Sequence, residues 1–200
     1  MAKLKHILGS QVFGLKGRFC QPRPKAWEPT HPEEFGPNGA VQTCLTTGDV
    51  MPQSLAKVYL HVIFSTKNRA PLLLDDWRDE LFCVLGGAAN NLGCQSLIVG
   101  GMPDHVHMLF QLGRTITMSD AVGKIKSTSS LWINQTHPTR EAFHWQAGYA
   151  VFSVSQSNIE AVRAYILDQP QHHAKQSFQD ELRQWLRRYE VEWDERYVWD

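Results

Sequence analysis

The stretch Pro103-Asp104-His105-Val106-His107-Met108-Leu109-Phe110 constrains this chain more than any other. Read as a strand, it sends Val106, Met108, Phe110 and Leu112 to one face and His105, His107, Leu109 and Gln111 to the other. The apolar set can be buried against helices. The two imidazoles then stand side by side, roughly 7 Å apart along a strand that rises about 3.3 Å per residue. Two neutral imidazoles so placed can hold one divalent metal and leave positions open. The alternative is a solvated strand face, its histidines satisfied by neighbouring acids.

Composition narrows the classes. Hydrophobic residues make up 42% of the 200 and charged ones 20%, as in an ordinary globular chain. No apolar run approaches the ~20 residues that span a bilayer, and no signal peptide is evident, so no membrane partner is expected. Cys20, Cys44, Cys83 and Cys94 form no Cys-x-x-Cys pair. They read as free thiols of a reducing compartment, the cytoplasm. The formal net charge of zero argues against a non-specific, charge-driven nucleic-acid binder.

Residues 1–53 are rich in Gly and Pro and lack periodicity. They read as an irregular arm, with Met51 a possible authentic start and residues 54–200 the domain. From Lys57 the pattern changes. Val58, Leu60, Val62 and Phe64 alternate with Tyr59, His61, Ile63 and Ser65, which predicts a strand. Asp75 and Asp76 are expected to open a helix that Gly93 ends. Ser96 to Gly101, with Leu97, Ile98 and Val99, predicts a second strand, and Gly100-Gly101-Met102-Pro103 a turn into the histidine strand as a hairpin. Thr117 can cap the next helix, with Met118, Val122, Ile125, Ser129, Trp132 and Ile133 inward. A fourth strand covers 148–155. Ser157-Asn158-Ile159-Glu160 reads as a capping box before a helix with Ile159, Val162 and Ile166 on one side. A last helix is expected near Phe178 to Tyr189, with Leu182, Trp185 and Leu186 inward.

The order strand, helix, strand, strand, helix, strand, helix, helix is that of an α+β, ferredoxin-like split βαβ fold. It implies a four-stranded antiparallel sheet with helices on one face and an additional C-terminal tyrosine-bearing helix. The other face should lie open, displaying Tyr59 and His61 beside His105 and His107. On the tyrosine helix, Tyr165 and Gln169 are at i and i+4 and share a face. A phenol is a poor nucleophile at neutral pH and needs a metal or a positive field to attack phosphorus. Tyr165 near a two-histidine metal would meet that need; otherwise it is a packing tyrosine.

Several stretches together resemble the single-tyrosine HUH transposases of single-strand insertion sequences, most closely the REP-associated tyrosine transposase branch. They are Ser54-Leu55-Ala56-Lys57 leading into 61–69, Asp104-His105-Val106-His107, Lys124-Ile125-Lys126-Ser127 with Trp132, 145–149 with 152–155, and Tyr165-Ile166 with Gln169 and His172-His173. The resemblance implies that His105, His107 and Gln169 bind Mg²⁺ or Mn²⁺. It implies that Tyr165 attacks a DNA phosphate, giving a 5′-phosphotyrosine and a 3′-OH that later rejoins the strand. It further implies single-stranded, hairpin-containing DNA as partner and a homodimer in which the tyrosine helix completes the other chain's site. His61 is a candidate neighbour of the metal ligands or a structural residue. Lys67, Arg69, Lys124 and Lys126 are candidate phosphate contacts. Pro170, directly after Gln169, is expected to end or kink the helix. The alternatives on this fold are a domesticated or inactive single-stranded nucleic-acid-binding module and a metal phosphodiesterase that uses water.

Overall fold

The computed structural model describes residues 55–138, 141–169, 171, 177–196 and 198–199. The arm 1–53, Pro170, His172 and His173 lie outside the described residues.

The elements run β1 (Tyr59–Ser65), α1 (Arg78–Asn91), β2 (Gln95–Met102), β3 (His105–Gln111), α2 (Met118–Thr136), β4 (Ala150–Val154), α3 (Ile159–Leu167) and α4 (Phe178–Arg188). The four strands form one antiparallel sheet in the order β2-β3-β1-β4. The α+β architecture with a split βαβ core is therefore the one expected, with β1 and β3 central.

Alternation builds the main core. Leu60, Val62 and Phe64 of β1 and Val106, Met108 and Phe110 of β3 face α1 and α2, meeting Leu81, Leu85, Val122, Ile125 and Ile133. Thr117 caps α2 by accepting from the Asp120 amide. Met118, the first residue of α2, is half exposed rather than inward; the buried residues of the helix begin at Ala121. α1 begins at Arg78; Asp75 and Asp76 sit in the preceding turn, where Asp75 pairs with Arg78. Gly93 follows α1 with φ +73, a conformation that suits glycine. The expected capping box before α3 does not form. A 3-10 turn at 156–158 leads in, and Asn158 caps α3 without a side-chain bond.

The opposite face is covered, not open. α3 lays Ile159, Val162 and Ile166 over Tyr59, Ile98, Leu109 and Val154. α4, capped by Ser177, lays Phe178, Leu182 and Leu186 over Ile63 and Phe152. The sheet is thus the middle of three layers. Tyr59, Ile63 and Leu109 share the histidine face, so leaving it wet would have exposed a large apolar patch. No helix among the described residues is long and apolar enough to cross a membrane.

Candidate metal centre

Register brings the histidines together. Ile63 pairs with His107 and His61 with Leu109, which makes His61 and His107 diagonal neighbours on one face. Their rings stack with centroids 5.2 Å apart, and His61 Nε2 lies 3.0 Å from His107 Nδ1. The rings of His105 and His107 are also 5.2 Å apart. All three side chains are buried. So the histidines meet as expected, but beneath a helical cover.

The partners of the Nδ1 atoms set what the other nitrogens can do. His105 Nδ1 lies 2.7 Å from Asp104 Oδ1, and Arg69 pairs with the other Asp104 oxygen at 3.1 Å. Burial would raise the Asp104 carboxyl. The hydrogen bonds and charges of His105 and Arg69 outweigh it and hold the group at about 2. An ionised carboxylate only accepts, so His105 Nδ1 donates to it; in a neutral imidazole that tautomer leaves the lone pair on Nε2. Burial pushes His61 down to about 4, against a smaller opposing pull from Glu181. A neutral His61 can accept from His107 Nδ1–H, the tautomer in which His107 Nε2 holds its lone pair. A carboxylate or imidazole behind each ligating ring is the usual support of a histidine metal site.

Tyr165 stands over this pair. Its ring centroid is 5.7 Å from that of His107 and 6.0 Å from that of His61. α3 follows β4 after only four residues, which sets it against the sheet within the chain. Gly100 lets α3 sit this close. A Cβ there would lie 2.8 Å from Ile166 Cγ2 and 2.9 Å from the Ile166 carbonyl oxygen. Burial pushes the Tyr165 phenol well above its ordinary value, and the charge of Glu181 adds to the effect. The hydroxyl donates a short hydrogen bond to Glu181 Oε1, and Trp185 Nε1 donates to the same hydroxyl at 3.3 Å. Gln169 is buried, its Nε2 3.4 Å from Glu181 Oε1.

Sequence reasoning passed over Glu181. One ligand atom each from His105, His107 and Glu181 lies within 4.8 Å of the others. The signal was present. Glu181 lies three residues after Phe178 and four before Trp185, inside the apolar stripe of α4 rather than opposite it. The chemistry of this donor set fits a divalent cation of the Mg²⁺, Mn²⁺ or Zn²⁺ kind, with two imidazoles and one carboxylate.

The basic candidates divide. Lys67 and Lys124 are exposed. Arg69 is engaged with Asp104. Lys126 donates to the carbonyls of Gln146, Ala147 and Gly148 at 2.6, 3.2 and 2.9 Å, and burial lowers its ammonium to about 8. It lines a cleft of about 330 Å³ together with Trp145 and Tyr149.

Residues 54–169 match the family described as Transposase IS200 like. The chain belongs to that family. It is 26% identical over 114 residues to the ISDra2 transposase TnpA of Deinococcus radiodurans, covering 54% of this chain and 81% of that protein. Two solved structures are also similar. One, from Deinococcus radiodurans R1 and described as a candidate transposase, is 26% identical with a TM-score of 0.48, covering 60% of this chain and 98% of that one. The other, a REP-associated tyrosine transposase bound to a REP hairpin, is 14% identical with a TM-score of 0.44, covering 64% of this chain and 74% of that one. As an IS200-like transposase, the chain carries its matched segment from the start of the domain through Gln169, across β1, the histidine strand and α3.

Proposed function

We propose that this transposase cleaves and rejoins single-stranded DNA through a 5′-phosphotyrosine on Tyr165, with His105, His107 and Gln169 holding Mg²⁺ or Mn²⁺. The observation that carries the reading is the position of the Tyr165 ring, 5.7 Å from His107 in one buried cluster with His61 and His105. A divalent ion there would polarise the scissile phosphate and stabilise the charge that develops on it. The protein's own part is orientation. Asp104 and His61 fix the two imidazoles, and α3 aims the phenol from above the sheet. In the attack, the Tyr165 oxygen bonds to phosphorus, the P–O3′ bond breaks, and the phenolic proton passes to the carboxylate it already contacts. That proton passes on to the released 3′-oxygen, which leaves as the free 3′-OH, and the carboxylate is restored. Reversal by a 3′-OH restores the phosphodiester and returns Tyr165, so the bond energy is conserved. Lys67 and Lys124, both exposed, would meet DNA phosphates. Hairpin-containing DNA and a homodimer belong to the same proposal, supported by family membership.

The test is incubation with single-stranded hairpin DNA from the flanks of its own gene, with Mn²⁺. The expected product is a denaturation-resistant adduct of protein and the 5′ end of the cleaved strand, absent in Tyr165→Phe. Cleavage without an adduct would identify a water-using phosphodiesterase. Binding without cleavage would identify an inactive binding module.

A further inference from the structure

Glu181 is a carboxylate buried where water cannot stabilise it, 7% exposed under the aromatic cover of α4. The Tyr165 phenol donates to its Oε1, and the Gln169 amide nitrogen lies 3.4 Å from the same oxygen. Its position completes a three-donor cluster with His105 and His107, all atoms within 4.8 Å. Helix geometry explains why the acid ends up there. Phe178 stacks on the His105 ring at 4.1 Å, and Trp185 packs on His61 at 5.1 Å. Glu181 is one turn from each, so the same packing that seats α4 delivers its carboxylate to the histidines.

We infer that Glu181 is a ligand of the metal held by His105 and His107, and that its hydrogen bond to Tyr165 ties the nucleophile to that metal. The inference rests on the metal-dependent reading above. It adds a residue that lies beyond the segment matched by the family, on a different helix from Tyr165 and Gln169. A carboxylate ligand adds a negative charge to a site that imidazoles and an amide leave neutral. That charge favours hard divalent ions such as Mn²⁺ and Mg²⁺. It also gives α4 a stake in metal binding, because the ion would then bridge the sheet and the helix laid over it.

The test is Mn²⁺ affinity, read by calorimetry or electron paramagnetic resonance on the full chain. Glu181→Gln keeps the shape and the acceptor for Tyr165 but removes the charge, and should weaken Mn²⁺ binding at least tenfold. Tyr165→Phe should bind Mn²⁺ within a few fold of wild type, since the phenol is not a ligand. The double variant His105→Ala/His107→Ala should lose binding. A second measurement needs no variant and so stands even if Glu181→Gln fails to fold. Mn²⁺ should slow amide hydrogen exchange across Phe178–Arg188 in the wild-type protein, because a ligand on α4 anchors the helix. Wild-type affinity in Glu181→Gln, or exchange in α4 that Mn²⁺ leaves unchanged or speeds up, would overturn the assignment while leaving the histidine site intact. No Mn²⁺ binding by the wild type would overturn the metal reading and this inference together.

Discussion

His61 offers a measurement of how deeply the centre is built into the fold. Its imidazole is fully buried, and burial lowers its pKa from 6.5 to about 4. The unfolded chain takes up this proton near 6.5 and the folded chain only near 4. Between those values the unfolded state binds more protons, so stability falls as pH falls, and the loss is complete below pH 4. The lowering from 6.5 to about 4 corresponds to about 3 kcal/mol in full. Between pH 8 and pH 5 linkage gives about 2 kcal/mol, enough to register clearly in a urea titration. The assay is urea unfolding followed by tryptophan fluorescence, in EDTA so that no metal competes with the proton. Other titrating groups contribute to the raw pH dependence, so the informative quantity is a difference. Glutamine at position 61 stays neutral throughout and keeps an oxygen that can accept from His107. Wild type should lose about 2 kcal/mol more than His61→Gln over this range. Equal losses in the two proteins would refute the claim that a neutral, buried His61 supports the histidine pair.

Two pairs of substitutions test individual contacts, one at the cover and one at the 146–148 loop. Gly100→Ala places a methyl 2.8 Å from Ile166, so it should push α3 and Tyr165 off the sheet, at a cost of about 1–3 kcal/mol. Gly87→Ala, with nothing within 4 Å, should be neutral or stabilising in a urea titration, and only Gly100→Ala should also depress DNA cleavage. Lys126→Met removes an ammonium shared by three carbonyls of the 146–148 loop and should destabilise by about 1.5–3 kcal/mol. Lys124→Met should change stability by no more than about 0.5 kcal/mol in the same titration, while weakening binding to single-stranded DNA. Equal stability of the two lysine variants would refute the structural role of Lys126.

The parts of the fold legible in the sequence are those where period and burial agree. Val106, Met108 and Phe110 alternate strictly, and so do Leu60, Val62 and Phe64, because each of these side chains has the same neighbours, α1 and α2. The second face did not read as buried because its residues are mixed. His61, His105 and His107 alternate with nothing more polar than themselves, while Tyr59, Ile63 and Leu109 lie among them. A period-2 pattern marks one face as core; it does not mark the other as wet when that face carries apolar side chains too. α4 held the complementary information. Phe178, Leu182, Trp185 and Leu186 form a stripe too wide for a helix that merely trails from the domain, and a sheet face is what such a stripe requires. The failed capping box at Ser157 has a smaller cause. Asn158 already lies at φ −99, ψ −1, so the chain enters α3 from a 3-10 turn rather than from the extended conformation that a capping serine needs.

The candidate residues were legible where they stand in short patterned stretches and obscure where one arrives by helix packing alone. His105, His107 and Tyr165 each stand in a short stretch with a pattern of its own, and register does the rest: a slip of one residue between β1 and β3 would turn His61 away from His107. Glu181 has no such stretch. Its place at the histidines follows only once Phe178 lies on His105 and Trp185 on His61, two contacts between residues over sixty positions apart. The same packing bears on where the nucleophile lies. β4 and α3 are separated by four residues, and Gly100 admits α3 against the sheet, so within one chain the Tyr165 ring lies 5.7 Å from that of His107.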